Sequence, residues 1–452
     1  MKKFSLLTLG LLALCTISTM AQSYQSKMER YGGLATEGRF LEACQLFTDT
    51  DSVSPFIKLH KQILAAIAQN QNRLAISLID ENLRYNWMAY GADVLYLSRE
   101  LLNLCKAEGM HDKAASHVEW LKREYYLSQK AYYNDAEYNK SVEKLISSGE
   151  QRLRERNLLP PVHAIRKGKS QTIKFTAVPL LKTPIKVNDK SLEGLWMTAT
   201  PYPMIITHQV AKQLGLVVGA DSVAGFPVVY LDSIRIGSIL FKNVPALVSK
   251  VATPTKGIDK HKLSKKEAKR IKEIYAEANK PKIGLPIIRQ LETIAIDWKR
   301  QEISFPVDSL PNADVEEKMY FAYVDYPYLF MPITISKKTA IGKISTGDVV
   351  YIKMCDKFYK KHQFPSENWN KSMYVTTDGN AVSIPNLILK SPSLTINGRP
   401  IDTKGRIDIV PETATSYDVL LGLTFFQSIG QTIVFDFKQM KIKGWKEGIS
   451  AK

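Results

Sequence analysis

The sequence predicts an α+β multidomain protein: an N-terminal all-α, helical-hairpin, repeat-like domain over 22–157, then two mainly-β halves over 158–308 and 309–448 related by a pseudo-two-fold. Three observations carry this prediction. Apolar residues recur three and four apart with no proline between Pro55 and Pro160. Short β-branched runs broken by turn residues extend from about Gln171 to Lys443. That second stretch also matches itself.

The N-terminus is the first element. Residues 1–21 run from Lys2 and Lys3 through an apolar stretch to Thr19-Met20-Ala21, the pattern of a signal peptide cleaved near Ala21. The expected location is therefore periplasmic or extracellular. Leu14 stands before Cys15 where a lipid-attachment site needs a small residue, and no later run is apolar and long enough to cross a bilayer. Three cysteines follow, Cys44, Cys105 and Cys355, with no CxxC pair. Cys44 and Cys105 either bridge or remain buried free thiols, and no zinc site is implied.

Within the helical stretch, GRFLEA (38–43), NQNRLA (70–75) and GMHDKA (109–114) each place Gly or Asn five positions before an alanine. Gly or Asn ends one helix in a left-handed turn, and the alanine lets the next helix pack closely. The spacing resembles that of tetratricopeptide repeats, which implies a docking or supporting role.

In the β stretch, Asn188-Asp189 and Asn397-Gly398 signal hairpin turns. Lys250–Lys282 interrupts it with eleven basic and four acidic residues. Its second half reads as an amphipathic helix starting at Ser264, with Lys265, Lys266, Lys269 and Arg270 as an electrostatic patch. This insertion is either a solvated surface helix or a docking arm beside a groove. The formal net charge of +18 invites a nucleic-acid partner, but export and the lack of interleaved stacking aromatics argue against one.

The self-match is the most informative feature. PIKVNDKSLEGLWMTAT from Pro184 aligns without a gap on PITISKKTAIGKISTGD from Pro332, and Ile283–Phe305 matches Leu421–Gly444, including Asp297-Trp298 on Asp436-Phe437. Each half resembles a retropepsin-type aspartic protease unit of exported bacterial proteins: a hairpin, a strand ending in Asp-Thr-Gly-Ala, an AKQLGL-like helix (Ala211 to Leu216) and a late Leu-Gly segment. The resemblance implies two carboxylates, one per half, that share a proton and act as general base and general acid. Here Met197 and Ser345 occupy those positions, in loops reading MTAT and STGD. Neither a thioether nor an unassisted hydroxyl does that work. Thr198 and Thr346 keep the residue that the family uses to bond across the two halves.

The expected cleft floor is Met197, Thr198, Ala199, Ser345, Thr346, Gly347 and Asp348. Asp348 is the weak candidate for a surviving catalytic carboxylate, whereas Asp297 and Asp436 are expected to satisfy backbone donors at strand ends. The histidines, including His60, His111 and His117, lack ligand spacing and are expected on the surface. No metal, cofactor, phosphate-binding loop or nucleophile elbow is indicated. Three readings remain open: an inactive protease-like protein binding a peptide or protein in its cleft, an active aspartic peptidase with an unrecognised dyad, and a docking protein acting through the helices and the basic insertion.

Overall fold

The computed structural model describes residues 25–48, 51, 53–132, 135–155, 157–166, 172–176, 180–251, 269, 273, 275–323, 327–375, 381–403, 405–411 and 416–449. The signal segment, Lys265, Lys266 and Arg270 lie outside them. An N-terminal helical region precedes β-rich sheets, giving an α+β protein. Among the described residues, no helix is long and apolar enough to cross a membrane.

Local signals set the helical region. Gly38, Asn70 and Gly109 adopt φ of 76°, 59° and 68°, the left-handed turns expected of them. The paired alanines Ala43, Ala75 and Ala114 are buried where successive helices meet. Ser54 caps Pro55–Ala68 by accepting from the Ile57 N–H at 3.3 Å, with Pro55 in the first turn, where its missing N–H costs nothing. Cys44, Cys105 and Cys355 are free thiols.

Two histidines depart from the sequence expectation. His60 and His117 are buried, because each lies on the helical face that packs inward. His60 bonds the Tyr31 hydroxyl at 3.0 Å and the Tyr96 hydroxyl at 3.1 Å, whereas neither ring nitrogen of His117 has a hydrogen-bond partner among the described residues. Burial pushes both imidazoles down to about 4, with Asp80 opposing and Arg84 and Lys113 assisting at His117. Unfolding restores the ordinary value near 6.5, so below that pH the unfolded chain takes up protons that the folded chain refuses. This stability is complete above about pH 6.5 and is lost as pH falls toward 4, on the order of 3 kcal/mol per histidine. Far-UV circular dichroism during urea unfolding at pH 7 and pH 4.5 measures it. His117→Phe is expected to reduce the acid-induced loss by about that amount; an unchanged loss would show that His117 is not its source.

The first β unit closes into a barrel. Its strands run in the order Ile239–Ser249, Met204–Thr207, Lys282–Gly284, Lys190–Met197, Lys182–Val187, Phe226–Ile236, and the last pairs back with the first. The second unit is an open half-barrel with the matching order Ile407–Val410, Ile352–Cys355, Val419–Leu421, Lys338–Ile344, Pro327–Ile335. Registers repeat with the sequence match. Trp196 lies parallel to Ile283 and Ile344 to Leu421, while Met204 opposes Ile283 and Ile352 opposes Leu421. Thr293–Asp297 and Thr432–Asp436 pair antiparallel with Ala295 opposite Val434, joining the units through a six-stranded sheet. Both expected hairpin turns form, with positive φ at Asn188, Asp189, Asn397 and Gly398.

The outer faces of the two units have diverged. Phe330, Ile341 and Leu420 on the second unit share one apolar core with the helical region. Arg39 reinforces that joint by bonding both carboxylate oxygens of Asp418, at 3.1 and 3.2 Å, and Asp418 also accepts the Ile341 N–H at 2.9 Å. The sequence-matched positions on the first unit are Lys182, Glu193 and Lys282. There Glu277 bonds Lys182 and Lys280, Lys280 bonds Glu193, and Tyr275 is buried. The C-terminal root of the basic insertion is therefore packed rather than solvated, while Lys269 is exposed.

Candidate functional site

Two matching loops meet where the units join. Each follows the second strand of a hairpin, and each turns back through an i to i+3 bond, Thr200 N–H to Met197 carbonyl at 3.0 Å and Asp348 N–H to Ser345 carbonyl at 3.3 Å. The loops hold each other reciprocally. The Thr198 N–H donates to the Thr346 hydroxyl oxygen at 3.1 Å, and the Thr346 N–H donates to the Thr198 hydroxyl oxygen at 2.9 Å. Each hydroxyl in turn donates to a carbonyl of the opposite unit, Thr198 to Ile344 at 3.0 Å and Thr346 to Trp196 at 2.7 Å. Both threonines are buried, so these four bonds are shielded from water.

Two glycines make the arrangement sterically feasible, and the sequence reading had not singled them out for it. The Leu285 N–H donates to the Thr200 carbonyl at 2.9 Å, and the Leu423 N–H to the Asp348 carbonyl at 2.7 Å, so the chain after each glycine runs directly beneath a loop. A Cβ on Gly284 would overlap the Tyr202 carbonyl oxygen, and one on Gly422 would overlap that of Val350. Their signal in the sequence was the repeated Ile-Gly-Leu and Leu-Gly-Leu.

The floor carries no free carboxylate pair. Met197 is half-buried, and its methyl lies 2.5 Å from where a Cβ on Gly347 would sit, so the thioether covers the opposite loop. Ser345 is buried and its hydroxyl donates to Asp348 Oδ2 at 2.6 Å. The other oxygen, Oδ1, accepts from Lys353 Nζ at 3.2 Å. Lys353 alternates with core residues Ile352 and Met354, so it stands on the sheet face that carries Cys355, Leu420 and the helical region. Asp348 is thus turned toward that face. Ala199, Gly347 and Asp348 are half-buried and Val349 is exposed, leaving one side of the floor open to solvent.

The large aromatics near the loops point elsewhere. Trp196 donates to the Thr183 hydroxyl at 3.0 Å inside the first unit, and the Tyr351 hydroxyl donates to the Asp402 carbonyl at 3.1 Å. Asp297 and Asp436 each accept two backbone N–H bonds at strand ends, from residues 299 and 300 and from residues 438 and 439. Among the described residues, no cluster of His, Cys, Asp and Glu is arranged to hold a metal.

No family model matches the chain, and no curated protein does. Among solved structures, a retropepsin-like aspartic protease from Rickettsia conorii is 14% identical with a TM-score of 0.21, covering 32% of this chain and 90% of its own. A structure described as edgp is 9% identical with a TM-score of 0.33, covering 62% of this chain and 95% of its own. The first is a weak structural similarity to an aspartic-protease-like fold.

Proposed function

We propose that this is an exported, non-catalytic protein built as two retropepsin-like halves, 158–308 and 309–448, related by a pseudo-two-fold, which binds an extended peptide in the cleft between them. The helical domain, 22–157, supports the second half. Signal cleavage near Ala21 releases the mature chain outside the cytoplasm. One observation carries the reading: Thr198 and Thr346 clasp the two loops across the halves, while the acid-bearing positions beside them hold Met197 and Ser345.

Peptide hydrolysis by this architecture needs one carboxylate to deprotonate a water and a second, protonated, to polarise the carbonyl. Met197 offers neither function, and Ser345 commits its proton to Asp348. Asp348 is held by Ser345 and Lys353, and the matching position of the first half is Thr200, so the duplication supplies it with no second carboxylate. What remains suits binding: a floor of methyl, thioether and backbone surface between two sheets, where an extended chain pairs by main-chain hydrogen bonds and places side chains in pockets.

Purified mature protein incubated with a diverse peptide library between pH 3 and 7 and read by mass spectrometry is expected to leave every peptide intact while retaining a subset at equilibrium. Cleavage abolished by an aspartic-protease inhibitor would overturn the reading.

A further inference from the structure

The two halves carry different charge at one matched end. Helix Asp356–His362 of the second half aligns without a gap on His208–Leu214 of the first, and the hairpin turn at Ser336-Lys337 aligns on Asn188-Asp189. Both turns close the matching strand pair and both helices follow the matching strand, so the scaffold forms in either version. At the matched positions, however, Asp189, Gln209 and Gln213 give way to Lys337, Lys357 and Lys361. Neither the helix nor the turn needs these three cations to form.

The cations of the second half converge. Lys357 stands three and four positions before Lys360 and Lys361, which puts all three on one side of the helix. Burial, then Lys361 and Lys338, hold the His362 imidazole below its usual value, with Asp418 opposing, so the hairpin turn lies against the helix end. The Ser336 N–H donates to the Ser393 carbonyl at 2.8 Å and the Lys390 N–H to the Pro365 carbonyl at 3.0 Å, which brings Lys390 to the same end. Lys337, Lys338, Lys357, Lys360, Lys361 and Lys390 are all exposed. Asp356 pairs with Lys360, and Glu367 on the following strand adds one further carboxylate. Among the described residues the other five lysines form no ion pair. In the first half Lys190 bonds the Gln213 carbonyl at the helix end, a bond its counterpart Lys338 does not make. Six like charges gathered in this way repel one another and set up a positive field that salt screens only in part.

We propose that this patch docks the protein on an anionic phospholipid surface. Lysines projecting from one helix and two chain turns meet an array of phosphates, and each lysine near such a surface strengthens attachment about fivefold. The contact is electrostatic and peripheral. Among the described residues, the large exposed apolar side chains all lie elsewhere, so none inserts among the acyl chains. Phe358 and Phe364 are buried, so they offer no ring face on which a nucleic-acid base could stack.

The full mature chain is sedimented with vesicles of phosphatidylcholine alone and of phosphatidylcholine mixed with phosphatidylglycerol. Pelleting is expected with the anionic vesicles only, and it should weaken as salt is raised. Lys337→Gln/Lys357→Gln/Lys361→Gln should lose at least about thirtyfold in affinity. Lys186→Gln/Lys212→Gln/Lys242→Gln removes the same charge from exposed positions of the first half and should stay within about threefold of the parent. The proposal is overturned if the anionic vesicles leave the chain in solution, or if the two variants lose affinity equally, which would mean that net charge alone acts. A labelled hexaglutamate peptide that binds through the same lysines while vesicles do not would assign an acidic protein partner and also overturn it. All six substituted lysines are exposed, so circular dichroism of both variants should match the parent. The outcome is independent of whether the loop cleft binds peptides.

Discussion

Gly284→Ala and Gly422→Ala are each expected to destabilise the protein by about 4 kcal/mol or to prevent soluble accumulation altogether, the scale of severe overpacking. In both cases the new methyl meets a backbone carbonyl, of Tyr202 or Val350, which no rotamer change can move aside. Thr200 or Asp348 must shift as well, each with its carbonyl 2.9 Å from the added carbon, and the bond to Leu285 or Leu423 lengthens with it. Because these carbonyls belong to the interlocked loops, either variant should also loosen the Thr198 and Thr346 bonds. Gly219→Ala is the control, since nothing lies within 4 Å of its added carbon, and it should stay within about 0.5 kcal/mol of the parent. Urea unfolding followed by tryptophan fluorescence separates the two; a Gly284→Ala midpoint equal to that of Gly219→Ala would rule out the close approach.

Arg39→Ala is expected to cost about 3 kcal/mol or more and to free the helical region for proteolysis as a separate unit. The Arg39 and Asp418 side chains are each 13% exposed, so deleting the cation leaves a desolvated carboxylate facing an apolar joint. Breaking one partner of such a pair is costly, whereas removing both together is far less so. Asp418 keeps one bond, from the Ile341 N–H, which holds it in place and blocks its retreat to water. Arg39→Met combined with Asp418→Asn should therefore lose less than the sum of the single changes, a coupling read from a double-mutant cycle in urea. Additive losses would mean that the pair contributes nothing beyond its separate contacts.

Features set by a few consecutive residues were legible in the sequence. Asn188-Asp189 and Asn397-Gly398 need only their own backbone preferences to turn a hairpin, and Gly38, Asn70 and Gly109 likewise end their helices alone. Asp297 and Asp436 cap N–H groups two and three residues away, so their structural role was readable too. Internal duplication made the loops at Met197 and Ser345 readable by aligning one half on the other.

Features assembled from distant segments were not legible. His117 was expected at the surface because its burial depends on which helices close over it, a tertiary fact. Lys353 lies five residues after Asp348, yet the pairing depends on how the strand Ile352–Cys355 is seated beside the loop. The groove beside Trp298 draws on the central sheet, residues 400–402 and residues 427–431, none of which carries a signal alone. Likewise, no local pattern announced that the helices would settle on the second unit rather than the first.

That last choice bears on how the molecule behaves at high concentration. If both units offered the same apolar platform, the helices of one molecule could seat on the vacant platform of the next, a head-to-tail contact with no closing symmetry that extends into fibres. On the first unit the matching positions Lys182, Glu193 and Lys282 remove the second platform, since Lys182 and Glu193 are already paired with Glu277 and Lys280, and helices seated there would have to displace those pairs. A duplicated scaffold that carries a single copy of its appended helices is thereby left with one apolar platform on which to put them.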